Sequence, residues 1–198
     1  MPACYHSSIE GAQHGTKSLA QFLDYAKTSG ASGAQPSCFM LQEEGSHEKQ
    51  PKFKSAAEIK EMFASRGLTI DGISCHCPIW VHTTAWTESP TIRPFTPKHL
   101  HREPVKKIEA WMLVYILMLL ELAATLKVKI LPTFWGVAFG WEMASGYPWG
   151  FWAGPGYDFL KEGQERFVKK TAKIRAHANK LGIYLAHEIH PATAAMCA

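Results

Sequence analysis

The stretch Leu185-Ala186-His187-Glu188-Ile189-His190-Pro191 decides the fold. Side chains alternate along a strand, so Glu188 and His190 point to one side and His187 to the other. Pro191 lacks an N–H and ends the ladder. A carboxylate and an imidazole are thereby offered together at the carboxyl end of a strand, where parallel α/β sheets hold their ligands. A carboxylate in an otherwise apolar, β-rich strand is costly to bury unpaired, so Glu188 needs a cation, a metal or hydrogen bonds. A hard divalent cation with oxygen and nitrogen ligands fits that need. His187 is expected to meet a helical layer. The two histidines lie three apart on a strand, which is not the helical zinc-protease motif with histidines four apart on one helix face.

The same unit recurs upstream: an amphipathic helix, a tight turn, a β-rich strand and a polar or aromatic strand end. Helices are expected over 18–28, 56–65, 105–126 and 164–181, followed by strands over 33–41, 70–77, 128–135 and 183–190. Gly30, Gly67 and Gly182 stand where left-handed helix caps belong. Lys127 takes the fourth such place, at about 1 kcal/mol if positive φ is required there. A short leading strand is expected around 3–7. Gln35, Gln42, His76, His82, Thr133, Trp135, Glu188 and His190 fall at or just beyond the strand ends.

Helix-to-strand connections are short, whereas the strand-to-helix connections 42–55, 78–104 and 136–163 are long. Long connections on the ligand-bearing side of an α/β sheet usually carry function. They, with the strand end before the last, also hold Trp80, Trp86, Trp135, Trp141, Trp149 and Trp152; only Trp111 lies elsewhere. Such aromatic surface either plugs the loops or stacks on the C–H faces of a sugar.

At 198 residues, 46% hydrophobic and 19% charged, the chain suits one globular domain over 1–198. A net charge of +4, with no basic run beyond Lys106-Lys107 and Lys169-Lys170, does not suggest a nucleic-acid partner. The five cysteines fit neither a disulfide framework nor a zinc ribbon, so buried free thiols in a reducing cytoplasm are expected. No signal peptide is visible, and the apolar run 110–120 is too short for a membrane span of about 20 residues. A buried helix accounts for it, and no membrane partner is expected.

Gly72-Ile73-Ser74-Cys75-His76-Cys77-Pro78, Leu131-Pro132-Thr133-Phe134-Trp135-Gly136 and above all 185–191 resemble, in order, the xylose-isomerase-like TIM-barrel superfamily of sugar-phosphate isomerases and epimerases. The resemblance implies an α/β fold of the (β/α)8 type and one divalent metal, commonly Mn, Mg, Co or Zn. It implies a sugar or sugar-phosphate substrate whose carbonyl is shifted or whose carbon centre is inverted. Glu188 would be metal ligand and acid/base, and His190 the second catalytic group. His76, Trp135, Trp80 and His82 would contact substrate. The remaining ligands of the family come from strands six to eight, whereas 198 residues with long loops accommodate about five βα units. An incomplete barrel is therefore expected: a fragment, a truncated product, or a chain completed by a second copy or another chain, with little activity alone. A non-catalytic carbohydrate-binding half-barrel and an open flavodoxin-like sheet are the alternatives, although no phosphate-cradling glycine loop follows the first strand. The apurinic-endonuclease chemistry of the superfamily is disfavoured by the mild charge.

Overall fold

The computed structural model describes residues 18–43, 50–84, 95–136 and 159–188. The leading strand expected around 3–7 lies outside them. In chain order the elements are α1 (Leu19–Thr28), β1 (Gly33–Ala34), a 3-10 turn (Cys38–Leu41), α2 (Ala56–Ala64), β2 (Thr69–Ile70) and α3 (His76–Thr83). A second 3-10 turn (Lys98–Leu100), α4 (Val105–Thr125), β3 (Ile130–Thr133), α5 (Phe159–Leu181) and β4 (Tyr184–His187) follow.

The strands pair in parallel. Gly33 lies opposite Thr69 in β1–β2, and Ile130 opposite Tyr184 in β3–β4. Single parallel bridges carry the ladders onward, Ser37 to Ser74 and Cys75 to Thr133. The order is therefore β1-β2-β3-β4, each strand beside its predecessor. A flavodoxin-like sheet reverses direction after its first strand, whereas a barrel winds on in one sense. The described strands wind on, which is the arc of a partial β/α barrel.

Two expected strands are shorter than the sequence suggests. The strand expected over 33–41 ends early because Pro36, without an N–H and with fixed φ, precedes the 3-10 turn. The strand expected over 70–77 stops at Ile70, resumes as bridges at Ser74 and Cys75, and gives way to α3 at His76. Pro78 was read as the start of a loop, but it sits in the first turn of α3, where a missing N–H costs nothing. Helix α5 begins at Phe159, five residues before its expected start.

Local signals set the helix ends. The Ser18 and Ser55 hydroxyls accept from the N–H groups of Gln21 (3.3 Å) and Glu58 (3.1 Å), capping α1 and α2. Lys127 adopts φ 63°, beside Gly30, Gly67 and Gly182 at 65–76° in the equivalent turns. Its side chain is exposed, so Lys127→Gly removes the left-handed strain without losing a packed contact. We expect it to raise stability by about 1 kcal/mol, read from chemical denaturation.

Along β3 and its continuation, Leu131, Thr133 and Trp135 are buried, while Ile130 is 48% exposed. On β4, Tyr184 is 71% exposed and Leu185 packs against the core. One sheet face thus meets the helices, and the other looks into the space a barrel encloses. The core lies between the sheet and α4, whose Ile108, Met112, Ile116 and Leu119 are fully buried. Helix α4 is the one described helix long and apolar enough to cross a membrane (21 residues, hydropathy 1.8), and it packs against α3 and α5.

Candidate functional site

The site forms where β2, β3 and β4 end. The Cys75 N–H donates to Pro132 O (2.8 Å), fastening the start of α3 to β3. The Glu188 N–H donates to Thr133 O (3.0 Å), extending the β3–β4 ladder one residue past β4. These two bonds place His76 and Glu188 on either side of the end of β3. His76 Nε2 stands 3.0 Å from Glu188 Oε2. The imidazole is 6% exposed and the glutamate side chain 52%, so the pair has one buried member and one open to solvent. The His76 ring stacks on Phe134 (centroids 4.1 Å apart, planes 19°), which fixes its plane.

Phe134, which the sequence did not single out, is the ring that His76 meets. The signal was present: Leu131, Thr133 and Trp135 share one face by period two, so Phe134 lies on the other with Glu188's side of the sheet. Trp135, expected at the substrate, is only 8% exposed and meets Phe167 of α5 edge-on at 5.6 Å. Its place is the helical layer. Trp80, half-buried on α3, packs edge-on against Phe95 at 5.1 Å. The carbohydrate-binding alternative rests on the tryptophan-rich loops; of their tryptophans, Trp80 and Trp135 are among the described residues, and both pack edge-on against phenylalanines.

His82 is also drawn away from the pair. It lies six residues along α3 from His76, about 9 Å by helical rise. Its Nδ1 is 2.9 Å from Glu109 O, and its Nε2 is 3.4 Å from Lys170 O. Lys170 Nζ closes the cluster by donating to Glu109 Oε1 (2.7 Å) and Thr84 O (3.0 Å). Burial holds the His82 imidazole below its ordinary range, the Lys170 charge adds to this, and the carbonyls and Glu109 oppose it. The folded state therefore favours neutral His82. Its contribution is present above about pH 6.5 and is lost as pH falls through the depressed folded value. We expect His82→Gln to flatten the fall in melting temperature between pH 7.5 and pH 5; a difference between variant and wild type that is constant with pH would refute this.

His190 lies outside the described residues. Among the described residues, no group of three His, Cys, Asp or Glu side chains converges to hold a metal ion. Glu188 and His76 offer one oxygen and one nitrogen, fewer donors than zinc, magnesium or calcium takes from a protein cage and its waters. The described side chains do not fit a complete divalent centre, and the chemistry below uses the chain's own groups.

No protein-family model and no curated protein matches the sequence. Solved structures do match in fold. The probable 3-DHS dehydratase AsbF involved in petrobactin synthesis from Bacillus anthracis superposes with TM-score 0.51 at 17% identity, over 91% of this chain and 50% of its own. The apo 3-keto-D-glucoside 4-epimerase YcjR from E. coli gives 0.54 at 15% identity, over 91% and 54%. A xylose isomerase-like TIM barrel protein from Mycobacterium smegmatis, in complex with magnesium, gives 0.48 at 17% identity, over 88% and 47%. The chain spans about half the length of these structures. With its sequential parallel strands and outer helices, it has the fold of a partial α/β barrel, covering about half of the barrels it superposes on.

Proposed function

We propose that residues 1–198 form one partial barrel domain of a sugar or sugar-phosphate isomerase or epimerase, with Glu188 as the proton-transferring group. The observation that carries this reading is the His76–Glu188 pair at 3.0 Å, brought together across the carboxyl end of β3, which lies between the strands they follow. Epimerising a 3-keto sugar at carbon 4, as the name of the E. coli neighbour states, requires a proton to leave a carbon beside a carbonyl. A carboxylate is a competent base for that step.

His76 Nε2 lies 3.0 Å from Glu188 Oε2, so the imidazole sits beside the carboxylate. Phe134 holds the imidazole plane, so the carboxylate is oriented before substrate arrives. Glu188 then takes a proton from the carbon next to the carbonyl and returns it to the neighbouring carbon; inversion at the same carbon takes its new proton from a second donor on the opposite face. A divalent ion would polarise the carbonyl, and its binding calls for donors beyond the described residues. The buried free thiols Cys38 and Cys75 support a reducing, cytoplasmic setting.

The test is solvent exchange. Ketoses, aldoses and 3-keto-glucosides incubated with the whole chain in D2O, with and without added divalent metal, should gain deuterium beside the carbonyl. Proton NMR reads the loss of that C–H signal. No exchange above a protein-free control under either condition counts against the reading.

A further inference from the structure

Away from the His76–Glu188 pair, two thiols meet inside the core. Cys38 is 1% exposed and Cys75 is 0% exposed. Ser37 bridges Ser74 in parallel register, and the Cys38 N–H donates to Ser74 O (2.9 Å). Cys38 and Cys75 thus each directly follow a residue of that bridge, Cys38 entering the 3-10 turn and Cys75 capping α3, and both are buried. The bridged residues that precede them are parallel neighbours, about 4.8 Å apart, and a disulfide needs roughly 4.4–6.8 Å between Cα atoms.

We infer that Cys38 and Cys75 are a modification site, a buried cross-strand dithiol that closes reversibly to a disulfide. The bond would join positions 37 apart in sequence and lock the backbone that immediately precedes His76. With glutathione disulfide as oxidant, one cysteine thiolate attacks a glutathione sulfur and expels a glutathione thiolate. The second cysteine thiolate then attacks the protein-bound sulfur and expels the other. Two protein thiols lose two protons and two electrons, and one glutathione disulfide becomes two glutathione thiols.

Burial, with the Cys38 contact adding to it, pushes the Cys75 thiol well up. The folded pair is thus slow to react, and oxidation follows opening of the Cys38–Leu41 turn. Cys77 is the local competitor: it lies two residues beyond Cys75, is half-buried, and its charge is felt at Cys75.

The experiment oxidises the whole chain with glutathione disulfide, alkylates remaining thiols, and maps linked peptides by mass spectrometry. It is run on wild type, Cys77→Ser and Cys38→Ser, with and without urea low enough to preserve the circular dichroism spectrum. We expect a Cys38–Cys75 link, a mass lower by two hydrogens and several-fold faster closure in urea. Cys77→Ser should retain the link, and Cys38→Ser should lose it. Dithiothreitol should reverse it, and amide exchange at Ser74 and Cys75 should slow in the linked form. A link that disappears in Cys77→Ser, or no link in any folded condition, would overturn the inference. If Cys77→Ser misfolds, native-state digestion that separates Cys75 from Cys77 in the wild-type chain makes the same decision.

Discussion

Glu188→Gln is expected to lower deuterium exchange into a keto sugar by about 10²–10⁴-fold, the usual range for removing a positioned acid/base. The amide keeps the size of the side chain and can still face His76, but it cannot take a proton. Stability should change little. Glu188 is half-exposed, and a pair with one solvated member contributes about 0–1 kcal/mol. Loss of exchange with an unchanged melting temperature is therefore the signature. His76→Gln should behave differently. It leaves the carboxylate in place but removes the ring that stacks on Phe134, so exchange should fall less than in Glu188→Gln while the melting temperature drops. If Glu188→Gln exchanges at the wild-type rate, Glu188 is not the base and the proposed chemistry fails.

The sequence exposes the winding of this fold more readily than its packing. Three glycine caps and the turn at Lys127 are legible because positive φ at a helix end is a local property; all four positions adopt it. Glu188 is legible for a similar reason, since a carboxylate in an apolar strand calls for a partner wherever the strand lies. Its partner is not local. His76 comes from 112 positions earlier, and only the crossing of the Cys75 and Glu188 backbone bonds onto β3 brings the two together.

The differences have the opposite character. Trp135 and His82 were given to the site because they follow strand ends, but a strand end has two faces. Leu131 and Thr133 already assign Trp135 to the buried one. His82 moved because Pro78 opens a helix where a loop was expected, and that helix carries His82 to Glu109 and Lys170. Period-two alternation, applied through residue 135, would have chosen Phe134. Nothing local would have predicted α3.

That helix closes tightly on the end of β3, and Gly136→Ala is expected to show it. Gly136 N–H donates to Thr83 Oγ1 (2.7 Å), and the fully buried Thr83 hydroxyl donates in turn to Ile79 O (2.7 Å). A Cβ at position 136 would lie 2.6 Å from Trp80 O and 2.7 Å from Thr84 N, and against Thr84 Oγ1. Two of these are backbone atoms, so no rotamer change relieves the clash. Overpacking of this kind costs about 1–3 kcal/mol. Pulling Gly136 from Thr83 leaves a buried N–H without its acceptor at about 1–3 kcal/mol more, not fully additive, while the Thr83 hydroxyl keeps its bond to Ile79 O. A fall of about 4–12 °C in melting temperature is the expected size for a chain of this length. Gly30→Ala is the control, because a Cβ there meets nothing within 4 Å and only φ 76° opposes it, at about 1 kcal/mol. Thr84→Ala should not rescue Gly136→Ala, since the Trp80 carbonyl remains in the way. Rescue by Thr84→Ala, or equal losses in Gly136→Ala and Gly30→Ala, would show that the close approach of β3 to α3 does not govern this end of the sheet.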